Sequence, residues 1–163
     1  MIDHPGGTEA GCGPGIEADL RAELLAPTRI EQTYPLARFS DPSLTLAHWR
    51  ALCSDAPERS GAMLIVCGRG YVRALCRFTT EHSLAHGHVL QITDIATGHP
   101  LDPARFASLL MERTEEHARA LGCSTVLVQV PAGVTWLGRV LRDRGHRESG
   151  TFFTKPLHST PHM

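Results

Sequence analysis

Groups able to accept or donate a proton are concentrated in the middle of the sequence. Asp94 lies within an alternating apolar run, and this pattern allows its carboxylate to face an interior cleft. His88 opens the same run and ends a connection that also contains Glu81, His82 and His86. A carboxylate can accept a proton and an imidazole titrates near neutral pH, so Asp94 and His88 are the candidate catalytic bases.

Both candidates also have structural interpretations. Asp94 could instead cap a β-bulge, and His88 could belong to a solvated loop that responds to pH. The spacing His82-x-x-x-His86-x-His88 permits a bound metal ion, but no second cluster of ligands accompanies it in the sequence. We therefore predict no metal site.

The bulk properties indicate one globular domain without a strongly charged partner. The chain has 163 residues, of which 42% are hydrophobic and 20% charged. Its formal net charge of -1 supplies no positive field that would attract nucleic acid or an anionic membrane. No apolar run approaches the ~20 residues of a membrane span, and residues 1–15 contain Gly and Pro where a signal peptide would be apolar. We expect a cytoplasmic protein that binds neither nucleic acid nor membrane.

Hydrophobic periodicity divides the chain into an arm, one domain and a tail. Residues 1–28 are predicted to be a flexible arm with a short helix over 16–25, residues 29–157 to form the domain, and residues 158–163 to be a tail. Within the domain the patterns predict a strand, helix, hairpin, strand, helix, strand, helix and strand. The six predicted strands comprise residues 29–36, 62–67, 71–79, 88–96, 124–130 and 151–154.

The strongest helix signal begins at Asp102. Its carboxylate is a suitable N-cap, Pro103 suits the first helical position, and Gly122 ends the helix. The run at 124–130 is apolar at nearly every residue, which is typical of a strand covered on both faces and parallel to a neighbour. The strand before this helix and the strand after it are therefore joined by a right-handed crossover. A second amphipathic helix, over 134–144, ends at Gly145.

This order and its spacing resemble the GNAT superfamily, the acyl-CoA-dependent N-acyltransferases. The segment from Ile92 to Cys123 is similar, without insertion or deletion, to the family's fourth strand, acyl-CoA loop and long helix. The helix that ends at Gly145, ahead of Phe152 and Phe153, is similar to the family's last helix and final strand. The resemblance covers residues 29–157. It implies an α/β (α+β) fold whose mixed, mostly antiparallel sheet splays between its fourth and fifth strands.

The resemblance also implies where acyl-CoA would bind as a co-substrate. Backbone groups of Ile95, Ala96 and Thr97 would align the pantetheine arm between the splayed strands. Amides at the start of the long helix would hold the pyrophosphate, because free amides and the helix dipole favour an anion there. These pyrophosphate-binding residues are Ala104, Arg105, Phe106 and Ala107.

The start of this helix departs from the family pattern Arg/Gln-x-x-Gly-x-Gly/Ala, which only Ala107 obeys. The carboxylate of Asp102 would compete with phosphate for the same amides, and Pro103 has no amide hydrogen to offer. Arg105 replaces a glycine, and its guanidinium could bind a phosphate. The tyrosine that many family members use to protonate the departing thiolate corresponds to Leu141.

The implied function is transfer of an acetyl or other acyl group from acetyl-CoA, or another acyl-CoA, to an amine of a small molecule or peptide. The replaced glycines and tyrosine leave an alternative open, a non-catalytic module of the same fold that binds a protein partner or a small effector. A homodimer is compatible with either function.

Overall fold

A computed structural model of the protein describes residues 20–54, 60–66, 70–98 and 102–157. Within these ranges the chain forms a five-stranded sheet with helices on both faces. The strands are β1 (Arg21–Leu24), β2 (Ser60–Val66), β3 (Val72–Ser83), β4 (Gly87–Thr97) and β5 (Thr125–Val128). The helices are α1 (Ile30–Ser40), α2 (Leu46–Ser54), α3 (Pro103–Ala120) and α4 (Thr135–Asp143).

The strands lie in sequence order across the sheet. The first four are antiparallel to one another, and β5 pairs parallel to β4. The parallel pair is connected by α3, as a crossover requires. The predicted mixed, mostly antiparallel sheet is therefore confirmed.

Each face of the sheet is covered by one pair of helices. On one face α3 and α4 pack against the sheet through a cluster that includes Cys76, Leu90, Ile92, Leu110 and Leu141. On the other face α1 and α2 pack around Leu75, Ala96 and the nearly buried Trp49. Complete burial of a side chain such as Leu90 contributes about 1.5–3 kcal/mol to the free energy of folding. These clusters therefore fix the positions of the strands that carry the candidate site.

The prediction of a first strand over residues 29–36 is wrong, because these residues lie in the turn before α1 and in α1 itself. The residues that α1 buries are Ile30, Thr33 and Ala37, whose spacing is helical. The indole nitrogen of Trp49 donates to the Ile30 carbonyl at 3.1 Å and to the Thr33 hydroxyl at 2.9 Å. This tertiary contact with α2 stabilises α1 even though the helix contains Pro35. The alternation of apolar and polar residues in this segment is typical of a strand, so the sequence pattern alone does not indicate the helix.

The predicted short helix over residues 16–25 is also wrong in its described part, where Arg21–Leu24 forms β1 beside β2. Residues 1–19 and 158–163 lie outside the described residues, so the arm and the tail stay predictions. The prediction of a last strand over 151–154 is wrong, because these residues form no strand and have no strand partner among the described residues. A β-prone sequence becomes a strand only when a neighbouring edge supplies hydrogen bonds.

None of the helices within the described residues combines the length and the apolar character needed to cross a bilayer.

Candidate functional site

The pairing of β4 with β5 ends at a β-bulge in β4, and we call the region beyond this point, where the two strands are no longer bonded, the cleft. The two strands pair from Val89 and Thr125 up to Ile92 and Val128, and the last bond runs from the Gln129 amide to the Ile92 carbonyl at 3.2 Å. On its other side β4 shifts register at the next residue, so that Thr93 has no counterpart in β3. An extra residue in one strand bends that strand, and here the bend coincides with the end of the β4–β5 pairing.

Beyond the bulge, β4 is paired on one side only. Ile95, Ala96 and Thr97 lie opposite Cys76, Leu75 and Ala74 of β3. In the described part of the chain these three residues have no partner in β5. Because alternate backbone groups of a strand point to each of its edges, this part of β4 presents unpaired N–H and C=O groups to the cleft.

Asp94 lies at the vertex of the cleft, directly after the bulged residue. Its Oδ2 accepts a bond from the Arg77 guanidinium at 3.1 Å and one from the Thr93 hydroxyl at 2.9 Å. Half of the Asp94 side chain is exposed, whereas Arg77 is largely covered. These two donors orient the carboxylate through one oxygen, so the exposed side chain can accept a proton at the other.

His88 lies at the opposite, closed end of β4. Its carbonyl accepts a bond from the Ser124 amide at 2.8 Å, which makes it part of the β4–β5 pairing. Its ring stacks on His82 with centroids 4.9 Å apart, and its Nε2 lies 3.9 Å from the Cys123 sulfur. Six residues of strand separate His88 from Asp94, or about 20 Å. The structure therefore does not bring the two predicted bases together.

No group of three or more His, Cys, Asp or Glu side chains within the described ranges has a geometry that could hold a metal ion.

The start of α3, the element that follows β4 along the chain, is capped by its own residue. The Asp102 carboxylate accepts a bond from the Arg105 amide at 3.2 Å, and Pro103 occupies the first helical position. One amide of the first turn is thus occupied and another is missing. This end of α3 therefore offers an anion fewer donors than an uncapped helix start.

The other residues predicted at this helix start differ in exposure. Arg105 is exposed, while Phe106 and Ala107 are buried against the sheet. Leu141, which corresponds to the tyrosine that many family members have, is 6% exposed and belongs to the core between α3 and α4. A hydrocarbon side chain at this site cannot donate a proton.

Sequence reasoning missed Arg77 and Thr93 as parts of the site. The alternation of β3 shows only that Arg77 points away from the buried face, and nothing in the sequence assigns its partner. Because the partner is set by the register across the bulge, Arg77 meets Asp94 through tertiary structure alone.

Comparison with solved structures identifies the architecture. The ribosomal-protein-alanine N-acetyltransferase from Brucella melitensis biovar Abortus 2308 has a TM-score of 0.73 and 12% identity, over 85% of this chain and 99% of that one. The aminoglycoside N-acetyltransferase AAC(6')-Iy in complex with CoA has a TM-score of 0.70 and 13% identity, over 86% and 95%. The enzyme AAC(6')-Ih from Acinetobacter baumannii has a TM-score of 0.67 and 14% identity, over 85% and 99%. The chain has the GNAT fold.

The GNAT fold accounts for the cleft and confirms the resemblance at the level of structure. The predicted splay lies between β4 and β5, and it begins at a bulge in β4. No protein-family model matches the sequence, and no curated protein is similar to it. The likeness that the comparisons show is therefore one of fold.

Proposed function

We propose that the protein transfers an acetyl or other acyl group from an acyl-CoA to an amine of a small molecule or peptide. The observation that carries this proposal is the cleft itself. The pairing of β4 with β5 stops at Ile92, and the one-sided part of β4 then leads to the start of α3. An elongated ligand with hydrogen-bonding groups along one end and an anion at the other matches this arrangement.

The fit to CoA differs between the two ends of the cleft. At the β4 end, backbone groups of Ile95, Ala96 and Thr97 would align the amides of a pantetheine arm. At the α3 end, Ala104, Phe106 and Ala107 would surround the pyrophosphate, with the exposed guanidinium of Arg105 as a charged ligand. The Asp102 carboxylate must release the Arg105 amide or share it, because two anions compete for one donor. CoA would supply the acyl group as a thioester, whose C–S bond breaks as the amide bond forms, and the departing thiolate would take a proton from water because Leu141 cannot donate one.

Asp94 is the proposed base for this reaction. A protonated amine must lose a proton before it can attack a carbonyl carbon, so a carboxylate at the vertex of the cleft can take that proton directly or through water. Arg77 and Thr93 hold the carboxylate in place through Oδ2. His88 has no role in this proposal because it lies at the closed end of β4.

The binding half of the proposal is tested by calorimetry and thermal unfolding with acetyl-CoA. We expect acetyl-CoA to raise the melting temperature of the wild type, since a ligand at about 100 times its Kd stabilises the folded state by about 2.7 kcal/mol. Asp102→Asn keeps a capping side chain but removes its negative charge, so it should bind acetyl-CoA about 3–10 times more tightly, a gain in the range of a helix-terminus charge effect. The control is Asp143→Asn, which removes an equal charge at the exposed end of α4.

Absence of both heat and stabilisation, for the folded wild type and for Asp102→Asn at millimolar acetyl-CoA, would reject the proposal. That result would favour the non-catalytic alternative, for which the bond between Asp102 and the Arg105 amide is the supporting observation.

The chemical half is tested by acetyl-CoA consumption with a panel of amines. Asp94→Asn should lower kcat by about 10²-fold or more and leave acetyl-CoA binding unchanged, because it removes a proton acceptor and preserves size. Glu81→Gln is the control, since it neutralises an exposed carboxylate of β3 opposite Val89, at the closed end of β4. Equal turnover by Asp94→Asn and the wild type would exclude Asp94 as the base.

A further inference from the structure

An open cavity of about 420 Å³ lies beside β5, away from the residues proposed for acyl transfer. Its walls come from α3, from β5 and from the turn that follows α4. We call it the cavity beside β5. The charged and titratable residues of its lining are His86, Glu115, Arg119, Arg144, His146 and Arg147. Small-molecule sites in proteins have volumes of about 300–1,000 Å³, so this cavity is large enough to hold a small ligand.

Positive charge is in excess in the cavity beside β5. Three arginines and one glutamate line it, so two positive charges are uncompensated when the histidines are neutral. The formal net charge of the whole chain is -1, so this excess is a local feature. Glu148, the neighbour of Arg147 in the sequence, does not compensate it, because its carboxylate is bonded to Arg142 at 2.9 Å. A local excess of this sign favours an anionic ligand.

The single carboxylate of the lining is occupied by one arginine. Both oxygens of Glu115 accept bonds from Arg144, at 3.0 and 3.3 Å. The Arg119 Nη2 atom lies 4.0 Å from Glu115 Oε2, which is beyond hydrogen-bond distance, and the Arg119 side chain is 72% exposed. Because Arg144 Nη2 lies 3.0 Å from the same oxygen, the two guanidiniums are within about 7 Å of each other. Their charges are therefore concentrated at one side of the cavity.

The cavity beside β5 also contains hydrogen-bond donors that no described residue uses. Arg147 is exposed and makes neither an ion pair nor a hydrogen bond within the described ranges. The Val126 amide points away from β4, because alternate amides of β5 face β4 and the Gln129 amide is one that does. With Arg119, these groups offer an anion donors from three different elements.

The remaining part of the lining is mostly apolar. Ala118 of α3 is buried, and the side chains of Val126 and Leu127 are partly exposed. Burial of an apolar group against these side chains would add a favourable free energy to the binding of a charged group. The lining is therefore suited to a ligand that has an anionic end and an apolar end.

We propose that the cavity beside β5 binds a small molecule that carries a phosphate monoester next to an apolar group. A phosphate monoester has a charge of about -1.5 to -2 at pH 7, which matches the two uncompensated positive charges. The guanidiniums of Arg119 and Arg147 donate to its oxygens, and planar guanidinium groups suit phosphate because they can donate two parallel bonds. A carboxylate with a single charge leaves one positive charge uncompensated, so the site prefers the phosphate.

The inference is independent of the proposed acyl transfer. The proposed CoA cleft lies between β4 and β5, beyond Ile92, and continues to the start of α3. The cavity beside β5 contacts α3 at Glu115, Ala118 and Arg119, near the other end of that helix. Either proposal can fail without the other.

Calorimetry of the full chain with phenyl phosphate, in a phosphate-free buffer of low ionic strength, tests the proposal. We expect one phenyl phosphate per chain. Benzoate should bind about tenfold more weakly, because it lacks the second charge. Inorganic phosphate should also bind more weakly than phenyl phosphate, because it has no ring to place against the apolar lining.

Arginine variants locate the binding. Arg119→Gln and Arg147→Gln should each weaken phenyl phosphate binding by about tenfold, as expected for the loss of one charge-assisted bond. Both side chains are exposed, so the variants should keep the melting temperature of the wild type. The matched control is Arg139→Gln, which removes an exposed arginine of α4 that lies outside the cavity and should leave binding unchanged.

Glu115→Gln provides a test in the opposite direction. It removes the only carboxylate of the lining and releases Arg144, so it should bind phenyl phosphate about tenfold more tightly. A gain in affinity cannot result from partial unfolding, so this variant separates a binding role from a structural one.

The proposal would be overturned by the absence of phenyl phosphate binding to the folded wild type at millimolar concentration. Equal affinities of Arg119→Gln, Arg147→Gln and Arg139→Gln would also overturn it, as would equal affinities for benzoate and phenyl phosphate. Acetyl-CoA at millimolar concentration should leave phenyl phosphate binding unchanged. Competition between the two ligands would assign the phosphate to the start of α3 and would reject the cavity beside β5 as the site.

Discussion

At the scale of single residues, His117 is a partly buried histidine on the sheet-facing side of α3. Its ring packs against Phe78 with centroids 5.3 Å apart, at an angle of 57°. Burial lowers the pKa of His117 below the ordinary value of 6.5. The unfolded chain therefore binds a proton at higher pH than the folded protein does.

The sign of the resulting pH dependence follows from this shift. The contribution of neutral His117 to stability is fully present above pH 6.5 and is lost as the pH falls through that value toward the lower pKa of the folded state. We expect His117→Leu to reduce the fall in stability between pH 7 and pH 5 in urea titrations. His48→Gln is the control, because this exposed side chain of α2 is in contact with water in both states. An unchanged pH slope in His117→Leu would contradict the prediction.

At the scale of elements, α3 and α4 are joined by an ion pair that also lines the cavity beside β5. Glu115 of α3 accepts bonds from Arg144, at the end of α4, at 3.0 and 3.3 Å. Both side chains are largely covered, at 17% and 23% exposure, and His146 lies 3.9 Å from the same carboxylate. Two parallel bonds of this kind fix an angle between helices as well as a distance.

We expect Glu115→Gln to destabilise the protein by about 1–3 kcal/mol, because it leaves the Arg144 guanidinium without a charged partner in a partly dry site. The matched control is Glu116→Gln, whose partner Arg113 is half exposed, and it should cost about 0–1 kcal/mol. Chemical denaturation of both variants measures the difference. Equal losses of stability would show that the pair between the helices contributes no more than a surface ion pair.

The sequence predicted those elements whose local signals agree with their tertiary contacts. α3 begins at Pro103 after a capping Asp102, and Gly122 and Gly145 have the positive φ that ends a helix. The almost continuous apolar run at 124–130 predicts the parallel strand β5. Each of these signals is local, so no knowledge of a partner was needed.

The wrong predictions concern segments whose structure depends on a contact with residues distant in the sequence. The alternation around Ile30 and Thr33 is compatible with a strand, and the contact with Trp49 makes this segment a helix. The same reason applies to the two candidate bases, because the sequence does not show that Asp94 and His88 lie far apart. Only the register across the bulge shows that the Asp94 carboxylate contacts Arg77 and not a histidine. The residues at 151–154 have strand propensity but no strand partner among the described residues.

At the scale of the whole molecule, the order of the strands determines how well the amides of each strand are protected from hydrogen exchange. β3 is paired on both sides, β4 is paired on both sides only up to Ile92, and β5 is paired on one side. Local opening free energies extend from about 0 at unpaired edges to the global stability at central strands. Amide hydrogen exchange should therefore be slowest in β3 and the first half of β4, and faster by about two orders of magnitude or more at amides facing the cleft or the outer edge of β5.

The same measurement tests where acetyl-CoA binds. Acetyl-CoA should slow exchange at amides within Ile95 to Thr97 that face the cleft, and this effect should depend on ligand concentration. Exchange at the Val126 amide, which faces the outer edge of β5, should stay unchanged and is the control. Unchanged exchange at the cleft amides, or equal slowing at Val126, would contradict binding of acetyl-CoA in the cleft.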